Sequence, residues 1–93
     1  IAKISGNGTV GFGDCTFVHW DRNKEGRAAI QAEGGSVLVR GCEFQENKPQ
    51  VELGAGVRRV VVTENLIRGK ERITNNSKGN AVIANNAADE VNK

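Results

Sequence analysis

The sequence predicts an all-β solenoid, a parallel β-helix of about three to four coils of roughly 20–27 residues, and two observations carry that expectation. The first is a recurring phrase: an apolar alternation, a small residue, then Cys or Asn two places before an apolar side chain. It reads Val10-Gly-Phe12-Gly-Asp-Cys15-Thr-Phe17, Val37-Leu-Val39-Arg-Gly-Cys42-Glu-Phe44, Val60-Val-Val62-Thr-Glu-Asn65-Leu-Ile67 and, more weakly, Ala81-Val-Ile83-Ala-Asn85-Asn-Ala87. Counted on Cys or Asn, the spacings are 27 (42 − 15), 23 (65 − 42) and 20 (85 − 65) residues, which puts Cys15, Cys42, Asn65 and Asn85 in one bend column. The second observation is a shorter strand ahead of each phrase, at Ala29–Glu33, Gln50–Leu53 and Arg72–Asn75, with period-two alternation.

In these shorter strands Ile30, Val51 and Ile73 align and point inward, so Gln31, Glu52 and Thr74 point outward. Gly34-Gly35-Ser36, Gly54-Ala55-Gly56 and Ser77–Asn80 separate the two strand types and have tight-turn composition. A third short strand is expected around Phe17, Phe44 and Ile67. Hairpins would not return to one residue pattern only after more than about twenty positions. A leucine-rich or helix-containing solenoid is disfavoured by the lack of regular leucines and of any amphipathic helical window.

Length and composition fit one domain spanning residues 1–93, with 12 glycines and a single proline. The chain has no methionine and opens on Ile1, so it is expected to be a piece of a longer protein, with active-site residues outside it. A net charge of +2 is too mild to point to nucleic acid. Arg58, Arg59, Arg68, Lys70, Arg72 and Lys78 gather late. Several of them share one edge if successive turns stack, either as a contact for an acidic polymer or as a solvated rim. No stretch approaches the ~20 apolar residues of a membrane span, and no membrane partner is expected.

Cys15 and Cys42 hold the same phase of consecutive repeats, so the solenoid stacks them about 4.8 Å apart. That spacing lies within the range of disulfide Cα separations, but parallel side-chain directions favour two buried free thiols. No Cys or His cluster has metal-ligand spacing, and no metal or cofactor is expected.

The phrases and the Cys15, Cys42, Asn65, Asn85 column resemble coils of the right-handed parallel β-helix superfamily, the pectate-lyase-like architecture, from about Val10 to about Ala87. The resemblance implies hydrogen-bonded ladders of inward asparagines, secretion or display at the cell surface, and a polysaccharide partner lying on an outer sheet face. It does not supply a catalytic set, because Asp14, Asp21 and Asp89 are not in equivalent phases. The calcium-binding nonapeptide of β-rolls is also missing.

Two groups of residues are candidates for a ligand site. Ten residues lie between Phe17 and Ala28, against five between Phe44 and Gln50 and four between Ile67 and Arg72. An enlarged turn on a regular scaffold is a common place for binding residues. It holds His19, Trp20, Asp21, Arg22, Glu25 and Arg27: a platform for a sugar ring, carboxylates for hydroxyls or acid–base work, and guanidinium groups for a uronate. The competing reading has Trp20 folded back as a lid over apolar side chains. The second group is Gln31, Glu33, Gln50 and Glu52, expected on one outer sheet face, with the two glutamates spaced as in glycoside hydrolysis or acting as solubilising decoration. His19 has no recognisable nucleophile partner, so a hydrolase triad is not expected. The sequons at Asn7 and Asn75 are too common a pattern to establish a secretory host.

Two functions follow. The chain is a carbohydrate-associated β-helix segment that binds or helps to process polysaccharide, or it is a set of structural coils that extend, cap or oligomerise a solenoid. Exposed strand edges at solenoid ends predict self-association in either case.

Overall fold

The computed structural model describes residues 2–21 and 25–90. Its described residues contain no helix, and parallel strands stack as a β-solenoid of about three turns. The strands are β1 (Ala2–Ile4), β2 (Thr9–Gly13), β3 (Thr16–Phe17), β4 (Ile30–Arg40), β5 (Glu43–Phe44), β6 (Val51–Thr63), β7 (Leu66–Lys70), β8 (Ile73–Asn75), β9 (Asn80–Ala84) and β10 (Ala87–Glu90). One six-stranded sheet bends around two faces: β1, β4, β6 and β8 form the first, while β2 and β9 pair with the later halves of β4 and β6 to form the second. The third face is a separate sheet in the order β10-β7-β5-β3.

Alternation decides which side chains enter the core. Ile30, Val51 and Ile73 share one register row, as expected, and Ala32 and Leu53 form the next inward pair. On the second face Val10, Val37 and Val60 stack, followed by Phe12, Val39, Val62 and Ile83. On the third, Phe17, Phe44, Ile67 and Ala88 stack. The rings of Phe17 and Phe44 lie nearly parallel, 4.9 Å apart, and the edge of Phe12 meets Phe17 at 6.0 Å. Each fully buried Val, Leu, Ile or Phe contributes roughly 1.5–3 kcal/mol, so these inward rows hold the coils together.

Two expectations need correction. The glycine segments after Ala32 and Leu53 do not break the chain into separate strands, because β4 and β6 run continuously through the corner. Register shifts between Ala32 and Gly34, and again between Gly35 and Ser36, add two residues to β6 there. The Ile30↔Val51 offset of 21 (51 − 30) therefore becomes 23 at Val37↔Val60 (60 − 37). These shifts turn the corner while the ladder resumes on either side of it. Gly35 sits there at φ +77°, where a Cβ would also strike the Gly8 carbonyl. Only the outer coils break at this corner, between β1 and β2 and between β8 and β9.

The second correction concerns the last bend. Val60 pairs with Ala81 and Val62 with Ile83, an offset of 21 (81 − 60), so Asn86 rather than Asn85 falls above Asn65. Asn65 confirms the alignment: its backbone N–H and its Nδ2 donate to Asn86 Oδ1 at 3.2 and 2.9 Å. Asn85 belongs to the preceding column with Asp14, Gly41 and Glu64, all at φ between 54 and 66°. A left-handed residue starts each of these bends, and the inward Cys or Asn follows it.

Candidate functional site

The enlarged turn is organised by its neighbour in the next coil. Trp20 is only 3% exposed; its indole Nε1–H donates to the Pro49 carbonyl at 2.7 Å and its ring meets Phe44 edge-on at 6.1 Å. The ring therefore closes the core beneath the turn, and its faces are not open to a sugar. Lys48 Nζ donates to the Trp20 carbonyl at 2.7 Å and pairs with Glu46 at 2.9 Å. The His19 backbone N–H donates to Glu46, and the His19 imidazole projects into solvent with Nδ1 3.5 Å from the same carboxylate.

Asp21 is a structural acceptor. Its side chain, 7% exposed, takes the Glu25 N–H at 2.9 Å on Oδ1 and the Gly26 N–H at 2.8 Å on Oδ2. Burial pushes its pKa up, but the amides of residues 25–27 and the charge of Lys48 outweigh burial and hold the carboxyl below its ordinary value. Glu46 is likewise held down, by Lys48 and by the His19 amide. Glu25 and Arg27 pair with each other at 2.9 Å on the surface. Arg22 lies outside the described residues.

The second group is divided. Lys3, Gln31, Glu52 and Thr74 form one outward row on the first face. Gln31 also donates from Nε2 to the Ala28 carbonyl at 3.2 Å. Exposed Glu33 lies two residues beyond Gln31 and is a diagonal neighbour of Glu52; such neighbours sit on the order of 7–8 Å apart. Lys3, Gln31 and Glu33 line a shallow cleft of about 220 Å³.

Gln50 does not join them. It is 0% exposed, donates from Nε2 to the Lys48 and Lys70 carbonyls at 2.7 and 3.1 Å, and accepts the Arg72 N–H on Oε1 at 2.5 Å. Outward alternation stops at Val51, where β6 begins; at the corner before it, an inward amide satisfies backbone groups of two coils.

The late basic residues do not all share one edge. Arg59 faces Ser36 on the second face, with Nε 3.2 Å from Ser36 Oγ, whereas Arg68 and Lys70 lie on β7 in the other sheet. Strand direction, rather than chain proximity, sets where they point.

Arg68 belongs to a groove that sequence reasoning did not assemble. The outer side of the four-stranded sheet, the third face, carries Glu43 and Gln45 from β5 and its following residue, Leu66 and Arg68 from β7, and Asp89 from β10, around a space of about 610 Å³. Leu66 is 59% exposed. Gln45 Nε2 donates to Glu43 Oε1 at 3.1 Å, and Asp89 Oδ2 accepts the Gly69 N–H at 2.9 Å. Arg68 is in no ion pair among the described residues. A guanidinium, carboxylates and an amide around an apolar platform suit a hydroxyl-rich ligand bearing a carboxylate. The available signal was the alternation of Leu66, Arg68 and Lys70, which becomes informative only when Glu43 and Asp89 are stacked on either side.

Among the described residues, no three His, Cys, Asp or Glu side chains converge in a way that could hold a metal ion. Among the described residues there is no helix long and apolar enough to cross a membrane. Comparisons with known protein families, with curated proteins and with solved structures find no match.

Proposed function

We propose that this chain is a polysaccharide-binding stretch of a right-handed, pectate-lyase-like β-helix, holding an acidic glycan on the outer side of its four-stranded sheet. The groove around Arg68 carries this reading, because it joins a guanidinium that has no ion pair among the described residues to the apolar surface of Leu66 and to hydroxyl acceptors at Glu43 and Asp89. Arg68 would bind a uronate carboxylate through two N–H donors, and Leu66 would lie under the apolar face of a sugar ring. The residues come from strands β5, β7 and β10, so a glycan running along the solenoid axis would meet each coil in turn. Glu33, Glu52 and Gln31 supply a second polar surface on the first face, which a long glycan could also contact.

The test is binding of the folded chain to a soluble polyuronate and to a neutral polysaccharide, measured by calorimetry at low and high salt. Saturable polyuronate binding, weakened about 10- to 100-fold by Arg68→Ala, supports the reading; that range corresponds to a charge-assisted bidentate contact. Absence of binding to either polymer by demonstrably folded protein would overturn it.

The structural reading retains one observation of its own. Gly11, Leu38, Val61 and Val82 form an outward row on the second face, and the last three are exposed aliphatic side chains. A second copy presenting the same row would cover it. Sedimentation showing concentration-dependent mass, lost in Val61→Lys, would favour assembly of coils.

A further inference from the structure

We propose that Cys15 and Cys42 are a dithiol modification site, oxidised by a low-molecular-weight disulfide to an intramolecular disulfide that ties the first coil to the second. Both residues are free cysteines in consecutive coils, and the residues that follow them, Thr16 and Glu43, are register partners. The Glu43 N–H donates to the Cys15 carbonyl at 2.8 Å, so the two backbones are already hydrogen-bonded at this bend.

The two sulfurs converge on one strand. Cys15 Sγ lies 3.4 Å from the Gly13 carbonyl oxygen in its own coil, and Cys42 Sγ reaches down to the Phe12 carbonyl oxygen, also at 3.4 Å. Phe12 and Gly13 are adjacent residues of β2. Cys42 Sγ also lies 3.6 Å from the Arg40 carbonyl oxygen of its own coil, so the upper thiol sits between its own coil and the one that contains Cys15. Strand stacking sets the backbone separation near 4.8 Å, within the roughly 4.4–6.8 Å that a disulfide spans.

Exposure assigns the order of events. Cys15 is half-buried and Cys42 buried, so an oxidant in solution meets Cys15 first. Burial also pushes the Cys42 thiol up, which suits it to the second step rather than to first attack. With oxidised glutathione, the Cys15 thiolate attacks one sulfur, forming a Cys15–glutathione mixed disulfide and releasing one glutathione thiolate. Cys42 then gives its proton to solvent, and its thiolate attacks the Cys15 sulfur and expels the second glutathione. Two protein thiols are oxidised and one glutathione disulfide is reduced to two thiols.

The inference is independent of any glycan and is tested on the whole folded chain. Reduced protein is incubated with oxidised glutathione and followed by intact mass, free-thiol count and peptide mapping. The expected product is a monomer lighter by two hydrogens, with no free thiol and a Cys15–Cys42 peptide pair. Cys42→Ser should stop at the glutathione adduct on Cys15, and Cys15→Ser should remain unmodified while folded. A wild-type chain that keeps both thiols, accumulates only the mixed disulfide, or links to a second chain would overturn the proposal.

Discussion

Asn65 Oδ1 accepts the Cys42 backbone N–H at 2.9 Å, and Asn86 repeats the contact one coil further on by accepting the Asn65 N–H. The amide nitrogens repeat as well: Asn65 Nδ2 donates to the Val39 carbonyl at 3.3 Å and Asn86 Nδ2 to the Val62 carbonyl at 3.2 Å. Cys42 takes the same place one coil earlier, with its thiol directed at Phe12 O and the Cys15 N–H facing its sulfur. The column is one ladder in which sulfur stands in for an amide in the lower half.

Asn65 is buried, so Asn65→Ala strands both the Cys42 N–H and the Val39 carbonyl away from water. The expected loss is about 2–4 kcal/mol in urea unfolding, the sum of two buried polar groups left without partners. Cys42→Asn should instead extend the ladder onto Cys15 N–H and Phe12 O, leaving the midpoint unchanged or higher. A large drop in that variant would show that the lower bend cannot admit an amide.

Glu64 holds φ 59° in the column it shares with Asp14, Gly41 and Asn85. Glycine is already used at position 41, and a longer side chain in this conformation costs roughly 1–2 kcal/mol. Glu64→Gly is expected to raise stability by about 1 kcal/mol, because the ion pair it removes, Arg40–Glu64 at 3.4 Å, is exposed and of little worth. Equilibrium unfolding checks the sign: a lower midpoint would mean that the ion pair outweighs the backbone strain.

The turn around Trp20 should weaken in acid. Asp21 and Glu46 both have carboxyl pKa values lowered by the fold, so their contribution is present above the ordinary carboxylate range, about pH 4, and is lost as pH falls through their depressed values. Trp20 reports the change, since its buried indole is bonded to Pro49 in the same turn. Its emission should shift toward that of solvent-exposed tryptophan below about pH 4, earlier in the titration than global unfolding. Asp21→Asn should remove part of this dependence, because an amide oxygen can still accept from one of the two backbone N–H groups but carries no titrating charge. An identical acid profile in the variant would assign the transition to other groups.

Trp20 and Gln50 mark where sequence patterning stops being informative. Trp20 was a ligand candidate as an aromatic residue in an enlarged turn and Gln50 as a polar residue expected on an outer sheet face, and each is used inside: Trp20 to seal the core against Phe44, Gln50 to join backbone groups of adjacent coils. The competing lid reading of Trp20 was visible in the length of its turn, whereas the inward direction of Gln50 depends on a corner where period-two alternation no longer applies. Arg68 shows the opposite case. Its outward direction was implicit in the alternation of β7, but the groove it shares with Glu43 and Asp89 exists only because residues more than twenty positions apart are stacked.

The sequence by itself determined the all-β repeat, the inward rows of Ile, Val and Phe, and the equivalence of Cys15, Cys42 and Asn65, because each depends on local alternation and on spacing between similar phrases. Tertiary structure decided the continuous passage of β4 and β6 through their corners, the replacement of Asn85 by Asn86 in the ladder, and the inward direction of Trp20 and Gln50. The reason is physical: along a strand the backbone alternates side chains without reference to its neighbours, whereas at a corner one added residue changes which groups face inward, and only hydrogen bonding to the adjacent coil selects the register.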